Sequence, residues 1–193
     1  FACEGCGVCA ELCPPKAIEM KPDAVGEYLL YQSDAAFSTA QLKMGSGTSG
    51  LLVSEVKKQM VSAAAPDTEL AIIDGSPGIG CPVISSLSGV DHVLIVAEPT
   101  VSGISDMERI IKTAQKFRVK PMVCINKYDT NLEKTREIES FCYENGLIFT
   151  GKIPFDPKAV EVINQGRSIV EVDCQAGQAT EKIFHHVTKL LFP

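Results

Sequence analysis

The chain has 193 residues, 45% of them hydrophobic, and a formal net charge of -6, enough apolar matter for a real core. That charge balance, with no run of Lys or Arg, excludes a basic nucleic-acid-binding face. No apolar run approaches the roughly 20 residues that cross a bilayer, and no basic segment leads into a signal-type apolar stretch. A cytoplasmic location is expected, with neither membrane nor nucleic acid as partner.

In chain order, residues 1–22 read as a Cys/Pro-rich module and 23–48 as an irregular hairpin region, EYLLYQ followed by AAFSTAQLKM and a Gly-rich stretch. From 49 to 193 the texture is an alternation of apolar runs and amphipathic helices. A helix at about 50–64 places Leu52, Val56, Met60 and Ala63 on one face. LAIID (70–74) has the look of a buried parallel strand that ends in an acid. HVLIVAEPT (92–100) is a second strand, and a helix at 103–117 carries a stripe of Ile104, Met107, Ile111 and Ala114. Strand KPMVCIN (120–126), a helix at 131–145, strand GLIFTGKIP, a short helix at 157–165 and a last helix at 176–191 complete the pattern. Strands alternating with helices imply an α/β fold, a parallel sheet flanked by helices, with ligands at the carboxyl ends of the strands. Function is therefore expected in the turns after Ile73, Ala97, Ile125 and Ile153.

The chain contains 8 cysteines. Cys3, Cys6, Cys9 and Cys13 fall in one short run, and Cys81, Cys124, Cys142 and Cys174 lie singly along the α/β pattern, which favours a metal site in a reducing compartment over disulfides. With Pro14, the first four spell C-x-x-C-x-x-C-x-x-x-C-P. Three thiolates at that spacing can wrap three corners of a cubic iron-sulfur cluster, Gly5 and Gly7 freeing backbone amides to donate to sulfur, while the fourth ligates another cluster. A zinc knuckle or plain free thiols are the alternatives. CGVCAELCPPKAIEM resembles one half of a bacterial-type two-cluster ferredoxin, and the matched motif alone completes neither cluster. The later cysteines are expected to be structural. The first residue is Phe and the cysteine run starts almost at once, so an upstream segment is expected to have been removed or left out.

Two further motifs suit a nucleotide. Asp74, at the end of an apolar run, suits a Walker B carboxylate that holds magnesium through water, and Pro77, Gly78 and Gly80 then make a tight turn whose Gly78 amide can face a γ-phosphate. A strand-end acid followed by a Gly/Pro turn is also common in α/β folds without that role. In CINKYD, Asn126 can pair with a purine edge and the stem of Lys127 can cover a base plane. With Asp129 this is also the N-K-x-D arrangement that reads guanine, although the turn after Asp74 departs from the Asp-x-x-Gly usual in GTPases.

IIDGSPGIGCPV, VAEPTVSGISDMERI, CINKYD and KIPFDPKAVEVINQG occur in the order and spacing of one family. The chain resembles the MinD/Mrp group of P-loop ATPases, relatives of the nitrogenase iron protein, and more narrowly its members with an inserted ferredoxin domain. The resemblance implies a dimeric ATPase whose adenine lies between the Asn turn and a loop after a late strand. It makes Asp74 the magnesium-side acid, Gly78 the γ-phosphate sensor, Asn126 and Lys127 the adenine side, and Pro154, Phe155 and Asp156 the adenine-flanking loop. The implied cofactors are ATP, Mg2+ and [4Fe-4S] clusters.

The phosphate loop of that family is the point of departure. GSGTSGLL spaces Gly45 and Gly50 as in Walker A, but Leu51 and Leu52 stand where Lys and Ser/Thr are needed. It reads as the return from the cysteine module to the ATPase fold, and this chain alone is expected to lack ATPase activity. Glu98 and Pro99 read as a switch or dimer position or a plain strand-end turn. His185 and His186 read as surface or packing residues, the last helix as a core-packing one, and Lys57, Lys58, Glu108 and Lys112 as solvated helix faces. The functional expectation is a nucleotide-gated iron-sulfur protein that delivers electrons or clusters to a redox partner or apo acceptor. A cluster scaffold or carrier is the first alternative and an ATP-dependent amidoligase the second.

Overall fold

The computed structural model describes Cys3 and residues 5–192; Phe1, Ala2 and Glu4 of the expected cysteine module lie outside the described residues. Packing divides the chain into two units, 1–88 and 89–193.

In the first unit, Gly7 in the left-handed region (φ 75°) starts a single helical turn, α1 (Val8–Glu11). The region expected as an irregular hairpin is a regular one. β1 (Gly26–Gln32) and β2 (Ala36–Leu42) pair antiparallel in unbroken register from Gly26↔Leu42 to Gln32↔Ala36. Helix α2 (Ser49–Ala63) lies on one face of the hairpin. There Ser38 Oγ donates to the Val56 carbonyl at 3.0 Å and Gln32 Nε2 to that of Ala63 at 3.3 Å. On the opposite face the cross-strand pair Tyr31 and Phe37 stack at 6.0 Å between ring centres and stay exposed with Leu29.

Residues 70–74 do not form the expected strand. An apolar run becomes a strand only when neighbours take up its N–H and C=O groups. No described strand pairs with it, and Ile72 is 73% exposed. A short helix outside the expected elements follows, α3 (Cys81–Leu87), with Pro82 in the first turn where its missing N–H costs nothing. Val83, Ser86 and Leu87 are buried and α3 packs on α2. Lys57 is not the solvated residue expected. Its Nζ donates to the carbonyls of Ser85 (3.0 Å), Ser86 (3.1 Å) and Ser88 at the carboxyl end of α3, and burial holds its pKa below the ordinary lysine value.

The second unit carries the parallel sheet. Strands β3 (His92–Ala97), β4 (Lys120–Asn126) and β5 (Ile148–Ile153) lie in the order β3-β4-β5, all parallel. Helices α4 (Val101–Lys116), α5 (Leu132–Glu144) and α7 (Gln175–Leu191) flank it, and α6 (Pro157–Asn164) lies in the connection from β5 to α7. Met122, Val123, Cys124 and Ile125 of the central strand are all buried, as expected of a strand covered on both faces. On β3 only Ile95 and Ala97 are buried, while Leu94 and Val96 face outward. The stripe Ile104, Met107, Ile111 and Ala114 is buried as its spacing predicts, and the core joins it to Ile138 and Cys142 of α5.

A bulge re-aims the end of β5. Val123 pairs with Phe149 and Cys124 with Gly151, so Thr150 is the extra residue. Its hydroxyl donates to the Val123 carbonyl at 3.1 Å, and its own carbonyl lies 3.1 Å from His186 Nδ1 on α7. Gly151 (φ 146°) lets α7 come close, since a Cβ there would sit 2.9 Å from Ile183 Cγ1. Gly151→Ala should therefore lower unfolding stability by about 1–3 kcal/mol, measured by urea denaturation of the purified protein. An unchanged midpoint would mean that α7 can retreat without loss.

Candidate functional site

The carboxyl ends of the three parallel strands converge on one edge, and the amino ends of the helices that follow meet them there. Thr100 caps α4, its Oγ1 accepting from Gly103 N at 2.9 Å, and Asn131 caps α5, its Oδ1 accepting from Lys134 N at 3.0 Å. Asp156 caps α6, and the Cys174 sulfur caps α7 by accepting from Gly177 N at 3.3 Å.

Asn126 is half-buried at the last position of β4. Lys127 follows in the left-handed region (φ 52°, ψ 43°), which turns the chain sharply into a 3-10 turn at Tyr128–Thr130. Lys127 Nζ reaches back 2.7 Å to Glu98 Oε1 at the end of β3, with both side chains nearly half exposed, so this pair fixes position more than it adds stability. Asp129 Oδ1 accepts from the backbone N–H of Phe155 at 2.7 Å. Thr135 Oγ1 donates to the Tyr128 carbonyl at 2.6 Å. The turn after β4 is thereby tied to the turns after both β3 and β5.

The loop after β5 contains Pro154, half-buried, Phe155, half exposed, and Asp156. Asp156 has two jobs. Its Oδ1 accepts from Lys158 N at 3.0 Å in α6, and its Oδ2 accepts from Ala176 N at 3.2 Å in the first turn of α7. These backbone donors, that of Ala176 foremost, hold its carboxyl below the usual carboxylate range. Nearby, Lys158 Nζ donates to the Asp173 carbonyl and Gln178 Nε2 to the Asp173 carboxylate, each at 2.7 Å. A groove of about 490 Å3 opens beside Tyr128 and Pro154, bounded by Lys152 of β5 and by Gln175, Gln178 and Lys182 of α7. Lys152 Nζ lies 5.1 Å from the centre of the Tyr128 ring and 2.8 Å from Glu139.

The structure thus brings together Asn126, Lys127, Pro154, Phe155 and Asp156, and adds Glu98, Asp129 and the start of α7. Asp129 was visible in N-K-x-D as a base reader, and its role as a loop tie had no local signal. The start of α7 carries no motif and is drawn in only by the fold.

Asp74 and Gly78 belong to the first unit. Asp74 is exposed in the unpaired segment, and Gly78 (φ 86°) makes the turn that Gly80 continues into α3. In the cysteine run, Gly5 (φ 66°) donates its N–H to Cys3 Sγ at 3.4 Å and Ala17 donates to Cys13 Sγ at 3.3 Å. Cys3, Cys6 and Cys9 are exposed and Cys13 half-buried, all as free thiols. Among the described residues no three His, Cys, Asp or Glu side chains come close enough to hold a single metal ion. An iron-sulfur cube, with its ligands spread over its corners, asks less of that proximity. The N–H groups already aimed at two sulfurs fit its needs.

Three cysteines differ sharply from these. Cys124 and Cys142 are buried with their thiols pushed up to about 11, by burial in both and by Glu139 as a lesser cause in Cys142. Cys174, also buried, donates its thiol to the Ile169 carbonyl at 3.5 Å. Alkylation with iodoacetamide near pH 8, followed by peptide mass spectrometry, should modify Cys3, Cys6, Cys9, Cys13 and Cys81 and spare Cys124 and Cys142. Rapid labelling of the latter two would contradict their burial. For Asp156, a lowered native pKa means stability that is fully present above the ordinary value of 3.8 and lost as pH falls through the native one. Asp156→Asn keeps a capping oxygen but not the charge, so melting temperature followed down through that range should fall less steeply than in the wild type.

Among protein-family models, none matches the chain. An ATP-binding protein of uncharacterized function from Methanocaldococcus jannaschii is 31% identical over 123 residues, 63% of this chain and 47% of that protein. An iron-sulfur cluster carrier protein from the same organism is 26% identical over 137 residues, 64% of this chain and 47% of its own length. The chain spans 32% to 56% of the curated relatives it matches. Among solved structures, the MinD cell division protein of Aquifex aeolicus superposes with a TM-score of 0.59 at 22% identity, over 72% of this chain and 61% of that one. The α/β architecture, a parallel sheet flanked by helices, is the fold of the MinD/ParA-type P-loop ATPases.

Proposed function

We propose that this chain is the nucleotide-reading and cysteine-bearing part of an ATP-binding iron-sulfur protein that acts as a homodimer. The observation that carries the nucleotide half is the tie between Asp129 and the Phe155 amide. Reading guanine requires both oxygens of the N-K-x-D carboxylate and a lysine stem laid along the base. Here one Asp129 oxygen holds the loop and Lys127 is drawn to Glu98. What the site offers a base is the Asn126 side chain, the Pro154 and Phe155 loop and the adjoining groove, a set suited to adenine. By resemblance, Asp74 and Gly78 answer to the magnesium and γ-phosphate side. The likeness to an ATP-binding protein supports the same reading.

Cys3, Cys6 and Cys9 would hold three corners of a [4Fe-4S] cluster and Cys13 a corner of a second. Such clusters supply one-electron chemistry or cargo. The chain's own contribution is the loop of backbone N–H groups that favours charge on the sulfurs. Nucleotide-gated electron transfer to a redox partner is the reading we favour. Delivery of the cluster to an apo acceptor is a second reading, supported by the likeness to an iron-sulfur cluster carrier.

Equilibrium titration of the anaerobically purified protein with fluorescent ATP and GTP analogues tests the first half. ATP should bind at least about ten-fold tighter, and Asn126→Ala should cost about 1–2 kcal/mol of that affinity. A preference for GTP that Asp129→Ala abolishes would reverse the assignment. Since the run alone completes neither cluster, iron and sulfide analysis after anaerobic reconstitution with an excess of added thiol to fill the remaining corners tests the second half, and Cys6→Ser should reduce both together. Metal content indifferent to that substitution would remove the cluster from the proposal.

A further inference from the structure

Three helices of the second unit end in the same way. After α4, α5 and α6 the chain enters the left-handed region for one residue, and the next N–H turns back to a carbonyl in the last turn of the helix: Val119 to Ala114, Leu147 to Cys142 and Arg167 to Val162. The left-handed residue is Gly146 after α5 (φ 62°) and Gly166 after α6 (φ 70°), as expected where a Cβ would crowd the backbone. After α4 it is Arg118 (φ 60°). A glycine would make the same turn without strain, so something other than the turn accounts for the arginine.

No local partner offsets that strain. Lys127, also left-handed, has its ammonium on Glu98. Arg118 is exposed, and among the described residues its side chain has no hydrogen bond or ion pair. The helix dipole does not require it, because Lys116 already stands in the last turn of α4. Instead Arg118 ends a basic stripe. Arg109, Lys112 and Lys116 recur at three- and four-residue spacing along α4 and are all exposed, which puts them on one helix face over about 10 Å. Lys112 lies 3.9 Å from Glu108, and Arg109 and Lys116 have no ion pair among the described residues. Phe117, between Lys116 and Arg118, is 43% exposed. Helix α4 starts at the edge that holds the candidate site, and its 16 residues carry this patch toward the opposite edge, where β4 begins.

We propose that the carboxyl end of α4 is a docking surface for a protein partner that presents clustered carboxylates around an apolar side chain, with Arg118 and Phe117 as its anchors. Charge complementarity sets the sign of the partner, since this compact group of cations stands on a chain of net charge -6. An arginine beside an aromatic ring is the pairing that carries most binding energy in protein interfaces. A nucleic acid fits less well, because a phosphate track longer than the stripe would run onto an acidic chain. A second copy also fits less well, because Glu137 and Glu139 of α5 are already paired with Lys134 and Lys152. The inference stands apart from the nucleotide and cluster readings.

Fluorescence anisotropy on the full chain tests it with three probes: a labelled peptide of Glu residues around one Leu, the same peptide with Ala for Leu, and a single-stranded oligonucleotide. The Leu peptide should bind saturably and lose about ten-fold in affinity as salt rises to the physiological range. Arg118→Gly should weaken it about five-fold while raising the melting temperature, since strain and anchor are removed together. Phe117→Ser should weaken the Leu peptide and leave the Ala peptide unchanged, and Lys189→Glu on α7 should alter neither. Arg118→Gly relieves strain and so is the variant that decides the matter should Phe117→Ser fail to fold by circular dichroism. A melting temperature lowered by Arg118→Gly would make Arg118 a structural residue and overturn the inference. Equal peptide affinity in Arg118→Gly and wild type, or no peptide binding at all, would overturn it as well. An oligonucleotide that displaces the peptide would assign the patch to nucleic acid instead. Self-association in gel filtration that Arg118→Gly abolishes would assign it to a second copy, and either result would bring the proposal down.

Discussion

Strand β4 is buried on both faces and bonded on both edges, and most of the second unit follows from that. The strand pairs with β3 from Lys120 to Ile125 and with β5 from Met122 to Asn126, and every side chain from Met122 to Ile125 is shielded, so it cannot slip in register without moving its whole apolar set. With β4 fixed, the strands must all end on one side, and each chain reversal there must start a helix whose first N–H groups need acceptors. Thr100, Asn131, Asp156 and Cys174 supply them. The polar residues that gather at this edge are required first by the fold. Any ligand function is built on side chains that already have scaffolding partners.

That double use decides what the edge can recognise. Asp129 spends one oxygen on the Phe155 amide, and Asp156 spends both of its oxygens on the amino ends of two helices. A carboxylate that accepts from aligned backbone donors is both charged and immobile, and such a group holds a loop better than it reads a base. The groups left over at this edge are the Asn126 amide, the Pro154 ring, the half-exposed Phe155 ring and the uncapped parts of the groove. The first three are uncharged, and the groove beside them is bounded by Lys152 and Lys182; on the proposed reading the uncharged set would serve a heteroaromatic base whose edge needs one donor and one acceptor, with stacking for the rest.

Features that belong to a single element agree between sequence and structure. The stripe at Ile104, Met107, Ile111 and Ala114 is buried, and the strand KPMVCIN begins and ends where expected, because helical periodicity and a short apolar run are each properties of a single element. The misses concern pairs of elements. LAIID has strand composition but no described neighbour to bond it. The hairpin at 26–42 is regular because cross-strand partners that are remote in sequence match. The Thr150 bulge is set against α7, where His186 meets its carbonyl, and Lys57 has a solvated-face spacing until α3 is set beside it. Of the site, the motif residues at 126–127 and 154–156 were legible, whereas Glu98, the Asp129 tie and the start of α7 depend on which strand lies next to which.

The cysteines show the same division between local pattern and environment. A metal ligand must be a thiolate, and giving up the proton is easy only where water or backbone N–H groups stabilise the charge. Cys124 and Cys142 sit where burial pushes the thiol up to about 11, and Cys174 is already occupied as donor to Ile169 and acceptor from Gly177. To serve as ligands these three would have to carry charge into a packed core or give up a helix cap. The first four have neither obstacle: they are exposed or half-buried, and two of them already receive N–H donors from their own loop. Among the eight cysteines, surroundings and spacing therefore agree on the run from Cys3 to Cys13 as the candidate for the proposed cluster.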